Sequence, residues 1–93
     1  MSLTFEWDED KAGTNLKKHG VSFEEASTVL DDPLSLTITD PLHSDEEERF
    51  VTIGRSVKQR TLVVVHTDRG ETSRLISARV ANKSEKAAYE KGS

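Results

Sequence analysis

Asn15-Leu16-Lys17-Lys18-His19-Gly20-Val21-Ser22-Phe23 reads as the corner between two helices, and that corner decides the fold. Glycine tolerates the left-handed conformation that closes a helix, so Gly20 suits the position just past the end of the first. Ser22 followed by Glu25 is a capping-box pattern that starts the second. Working outward, Asp8 is a good N-cap and predicts a helix over about Glu9–His19, with a thin stripe of Ala12, Asn15, Leu16 and His19. The second helix, over about Phe23–Leu30, has the better stripe in Phe23, Ala26, Val29 and Leu30, and Asp31-Asp32-Pro33 ends it.

The flanks read as strands. Leu3–Trp7 is a short first strand, and Leu34–Thr39 alternates with Leu34, Leu36 and Ile38 on one side. A polar loop over Asp40–Glu46 follows, then strands over about Glu47–Gly54, Thr61–Thr67 and Thr72–Arg79. Asp68-Arg69-Gly70-Glu71 is a tight hairpin turn and Arg55–Gln59 a looser one. Asn82 with Glu85 repeats the capping box and opens a last helix over about Lys83–Glu90. The expected fold class is α+β: β-α-α, an antiparallel meander, then a C-terminal helix.

Composition bounds the rest. The chain has 93 residues, 33% of them hydrophobic, and predicts one domain over residues 1–93 with a modest core. It has no cysteine, which excludes disulfides and thiolate metal sites and suits a reducing cytoplasm. No apolar run is long enough to span a bilayer. The net charge of −4 argues against a general nucleic-acid binder. Acid gathers early and around Asp45-Glu46-Glu47-Glu48, whereas the chain from Arg49 onward is richer in arginine, which allows a local basic patch.

Register arithmetic turns the strands into a sheet. With Arg69 and Gly70 as turn residues, His66 faces Ser73. Pairing Gly54 with Thr61 puts Arg49 directly opposite His66, and places Arg49, His66 and Arg79 on one face. Arg74 and Glu48 fall on the other face, and Arg60 and Arg79 gather at the far end. His66 and Arg79 are then about 20 Å apart along the sheet, too far to share one phosphate. A one-residue bulge exchanges the faces.

Standard motifs are absent: no phosphate-binding glycine loop, no serine nucleophile motif, and three histidines too scattered for zinc. No cofactor or metal is expected. Strand arginines, a strand histidine and Tyr89 suit metal-free RNA cleavage, in which a base takes the proton of a 2′-hydroxyl and cations stabilise the phosphorane. Candidate catalytic residues are His66, Arg49, Arg74, Arg79 and Glu48, with Arg60, Lys18 and Tyr89 as RNA contacts. Each also has a structural reading: a hydrogen-bonded core histidine, edge charges at Glu48 and Arg49, rim ion pairs at Arg74 and Arg79, a helix-dipole partner in Lys18, a packing Tyr89. On chemistry alone the structural reading is the stronger for each.

Phe5-Glu6-Trp7-Asp8, Lys11, Asn15 and Lys18-His19-Gly20-Val21-Ser22-Phe23-Glu24-Glu25-Ala26 together resemble the opening of the BrnT family of toxins. The resemblance continues through Asp31-Asp32-Pro33, Glu48-Arg49-Phe50, Ile53-Gly54, Val63-Val64-Val65-His66-Thr67, Arg74-Leu75-Ile76-Ser77-Ala78-Arg79, Ala81, Glu85 and Tyr89. It implies a compact ribonuclease toxin similar in fold to RelE-type toxins. The implied partner is a BrnA-type antitoxin with a ribbon-helix-helix DNA-binding part, so that DNA is reached only through the antitoxin. The acidic balance keeps a second reading open, a catalytically weak or inactive module of the same fold that acts as co-repressor with its DNA-binding antitoxin.

Overall fold

The computed structural model describes residues 4–40 and 48–92, in the order β1 (Thr4–Glu6), α1 (Glu9–His19), α2 (Phe23–Val29), β2 (Leu36–Thr39), β3 (Arg49–Arg55), β4 (Thr61–Arg69), β5 (Thr72–Val80) and α3 (Lys83–Lys91). Leu3, Glu47 and the loop expected after Asp40 lie outside the described residues. The helix boundaries follow the caps. The Asp8 carboxylate accepts from Lys11 N, and Gly20, at φ 69°, donates to Leu16 O at 2.8 Å. Ser22 Oγ accepts from Glu25 N, and Asn82 and Glu85 form the reciprocal box. β2 begins two residues later than its alternation suggests. The amides of Leu34 and Ser35 are held by Asp32, through Oδ1 and the carbonyl, which keeps them in a turn after Pro33.

The described strands form a five-stranded sheet in the order β1-β5-β4-β3-β2, mixed α+β with the helices. The antiparallel meander β2–β5 is as expected. β1 adds a parallel pair on the far side of β5, matching Glu6 with Arg74. β1 covers only the start of β5, and further along that edge Asn15 of α1 takes up the backbone of Ala78. Its Nδ2 donates to Ala78 O and Val21 O at 2.9 Å, and its Oδ1 accepts from Ala78 N. A buried asparagine with its amide fully used is thus a substitute for a strand.

α1 and α2 cover one face of the sheet. Val21, Phe23, Ala26 and Val29 pack there on Leu62, Val64, Leu75 and Ala78, with the Trp7 ring edge-on to Phe23 at 5.9 Å. α3 lies against the opposite face near β3: an added Cβ at Gly92 would meet Leu36 Cδ1 at 3.0 Å, and Leu36 pairs with Ile53. No described helix is long and apolar enough to cross a membrane.

Candidate functional site

Two register differences rearrange the arginines. The β4–β5 turn opens on Gly70, at φ 62°, so Arg69 pairs with Thr72, and a bulge near Ile76 then lets Val63 pair with Arg79. β3 pairs Arg55, not Gly54, with Thr61, so Arg49 stands opposite Thr67 and His66 faces Phe50. The expected pairing of Arg49 with His66 is therefore corrected. Each one-residue shift carries a side chain to the other face. Together the two bring Arg49, Arg74 and Arg79 onto one face, the one that α1 and α2 leave uncovered.

On that face one cross-strand row reads Glu6, Arg74, Thr67, Arg49. A second reads Arg79, Val63, Ile53, Leu36. Four residues of β4 separate them, about 13 Å. Between them runs Ser77, Val65, Val51 and Ile38, the last 63% exposed. Guanidinium groups thus border an apolar strip.

Two of the three arginines meet acids. Arg74 Nη1 donates to Glu6 Oε2 at 2.7 Å. Arg79 forks onto Glu85 at 2.7 and 2.6 Å, which holds the Glu85 carboxyl below and the Arg79 guanidinium above their ordinary pKa values. Arg49 is half-buried and makes no ion pair or side-chain hydrogen bond among the described residues. Neither Glu6 nor Glu85 was among the site residues expected from the sequence. The parallel β1–β5 pair creates the first contact, and no local pattern announces it.

His66 is on the other face, 4% exposed, with its ring stacked on Phe50. Nδ1 lies 2.8 Å from Asp68 Oδ1, which also accepts from Ser73 Oγ, and Nε2 lies 2.8 Å from Thr52 Oγ1, itself bonded to Thr37 Oγ1. Nδ1–H donates to Asp68, and Nε2 is tied to the Thr52 hydroxyl. These residues border a cleft of about 180 Å³. Both ring nitrogens are occupied, and the sheet lies between the ring and the arginines.

The remaining expected residues are scattered. Arg60 does not join Arg79. It turns toward α2, where Nε donates to Glu25 Oε2 at 2.9 Å and Nη2 reaches Glu25 Oε1 and Gly20 O. Ser56 Oγ donates to the same carboxylate at 2.7 Å, and Arg60 foremost holds Glu25 below the ordinary glutamate range. Tyr89 is 7% exposed, and its hydroxyl donates to Asp32 Oδ2 at 2.6 Å under the Arg55 guanidinium, so it anchors α3 and presents little surface to a ligand. The Asp32 bond raises the phenol's pKa. Burial resists ionisation of Asp32, but donors from Arg55 N, Tyr89 and Leu34 N prevail and keep its carboxyl below the ordinary range. Lys18 is exposed at the end of α1, and Glu48 is exposed just before β3.

A small α+β protein with one arginine-bearing sheet face is the class these features define. The family model described as ribonuclease toxin, BrnT, of type II toxin-antitoxin system matches residues 7–85, and the chain belongs to that family. The crystal structure of the Brucella abortus ribonuclease toxin, BrnT, is similar to this chain with a TM-score of 0.64 and 26% identity, over 88% of this chain and 100% of that one. No curated protein sequence matches the chain. Membership in a type II toxin-antitoxin family implies an antitoxin partner.

Proposed function

We propose that this chain is a metal-independent endoribonuclease that arrests translation and growth, acts in the cytoplasm, and is silenced by a BrnA-type ribbon-helix-helix antitoxin. The observation that carries the reading is the gathering of Arg49, Arg74 and Arg79 on the face that α1 and α2 leave open. In this reading the 2′-hydroxyl of RNA attacks the adjacent phosphorus and gives up its proton, and the P–O5′ bond breaks to leave a 2′,3′-cyclic phosphate and a 5′-oxygen that takes a proton from water to become a hydroxyl. The arginines stabilise the charge of the phosphorane. The base is Glu6, which stands on the same face beside Arg74, rather than His66, which does not. The antitoxin covers the arginine face next to α3, so inhibition and active site coincide. The RelE-type kinship belongs to the same reading.

The test is cleavage of labelled RNA by the purified chain in chelator, with growth followed on induction alone and with the antitoxin. Cyclic phosphate ends, and growth arrest relieved by the antitoxin, are expected. A folded chain that cuts no RNA and arrests nothing overturns the reading. It would favour a co-repressor module of the same fold, to which the net charge of −4 and the acid partners of Arg74 and Arg79 also point.

A further inference from the structure

Thr67 sits in the middle of the row Glu6, Arg74, Thr67, Arg49. It is 2% exposed, and its Oγ1 is the buried side-chain polar atom that lacks a hydrogen-bond partner among the described residues. Hydroxyls at similar depth on the opposite face are all engaged: Thr52 with Thr37 and His66, Ser73 with Asp68. A buried hydroxyl left unpaired has lost its water for nothing in return, and such an atom calls for a ligand.

Its neighbours say which ligand. Arg49 and Arg74 are the direct cross-strand neighbours of Thr67, each about 5 Å away between Cα atoms. Arg49 has its whole fork unpaired among the described residues, and Arg74 commits Nη1 alone to Glu6. The row therefore offers a surplus of donors from two sides and from below, and one carboxylate on one flank. A flat carboxylate satisfies a single fork. A tetrahedral oxyanion presents oxygens to both forks and to the hydroxyl at once.

We propose that this row is a seat for one phosphate group, with Arg49 and Arg74 as its forks and the Thr67 hydroxyl as its third donor. Glu6 occupies Arg74 until the phosphate arrives and is released by it. Identifying that phosphate as the scissile diester of RNA rests on the ribonuclease reading; the donor set does not. Thr67 is a binding residue of the seat, and its hydroxyl becomes available when the two guanidinium groups lift onto the ligand.

The experiment is a titration of the full chain with a 2′-O-methyl dinucleotide, which carries one diester and cannot be cleaved, followed by amide chemical shifts. Thr67→Val keeps the shape and removes the hydroxyl. It is expected to weaken binding about tenfold, the worth of one hydrogen bond to a charged acceptor, while the melting temperature without ligand holds or rises. Thr67→Ser keeps the affinity of the unsubstituted chain within about threefold. Arg49→Gln weakens binding independently of position 67. An unchanged affinity in Thr67→Val or in Arg49→Gln overturns the seat, even if the chain cleaves RNA. Binding through the row by a chain that cleaves nothing keeps the seat and removes the ribonuclease reading.

Discussion

On one face of the sheet Leu62, Val64, Leu75 and Ala78 are closed under α1 and α2, and every polar group of the Thr37–Thr52–His66–Asp68–Ser73 chain has a partner. On the other, Arg49, Arg74 and Arg79 flank a half-exposed apolar strip, α3 reaches only the row of Arg79 and Leu36, and the Thr67 hydroxyl is left over. The same alternating strands supply both. The closed face satisfies itself and so contributes stability, whereas the open face keeps unspent hydrogen-bonding capacity, which is what a ligand needs. Damage to the two should therefore be separable.

The largest effect lies on the closed face. Phe23→Ala empties the centre of the core and should cost about 3–5 kcal/mol in chemical denaturation, with cleavage per folded molecule unchanged. Arg79→Ala or Arg74→Ala should do the reverse, lowering cleavage about 100-fold or more while stability falls by about 1 kcal/mol or less, because both pairs are partly exposed. Comparable cleavage in wild type and both arginine variants would remove the functional half of the contrast.

A smaller effect tests the seam between α2 and the sheet. Glu25 has its folded-state pKa lowered, by Arg60 above all. Its contribution is therefore complete above the unfolded glutamate value of about 4.3 and is lost as pH falls through the folded value. Glu25→Gln should cost about 2 kcal/mol at pH 7, less than for a wholly buried pair because the Arg60 side chain is 37% exposed. It should also make unfolding less sensitive to pH below about 4.5, since Glu85 and Asp32 still titrate there. An acid profile equal to that of the unsubstituted chain would show that Glu25 is not the titrating group. The smallest change is expected from His66→Gln, with cleavage per folded molecule within about threefold. A 100-fold loss there would move the chemistry to the closed face.

What the sequence made legible was local. Asp8, Gly20, Ser22 and the Asn82–Glu85 box mark helix ends because a cap acts within one turn, and the alternation of β3 to β5 marks strands for the same reason. The site was less legible, since it depends on parity. Whether Ile76 bulges decides which face receives Arg79, whether Arg55 or Gly54 meets Thr61 decides which face receives Arg49, and neither choice changes the pattern of apolar residues enough to be read. Tyr89 was legible as a packing residue and Arg60 only as an RNA contact, but the partners that fix them, Asp32 and Glu25, lie 57 and 35 residues away. Glu6 was hidden in the same way, 68 residues from Arg74.

The parallel pairing of β1 with β5 carries a consequence for synthesis. Glu6 leaves the ribosome long before Arg74, and Asn15 waits for Ala78, 63 residues on, before its amide has anything to bind. A growing chain that ends before β5 has no strand for β1 to join and no complete arginine row. Closing contacts between the two ends of a chain is among the later events of folding, because the loop entropy is spent before the contact repays it. The arginine row is thus completed only when β5 arrives, and its first member, Glu6, has no partner until then.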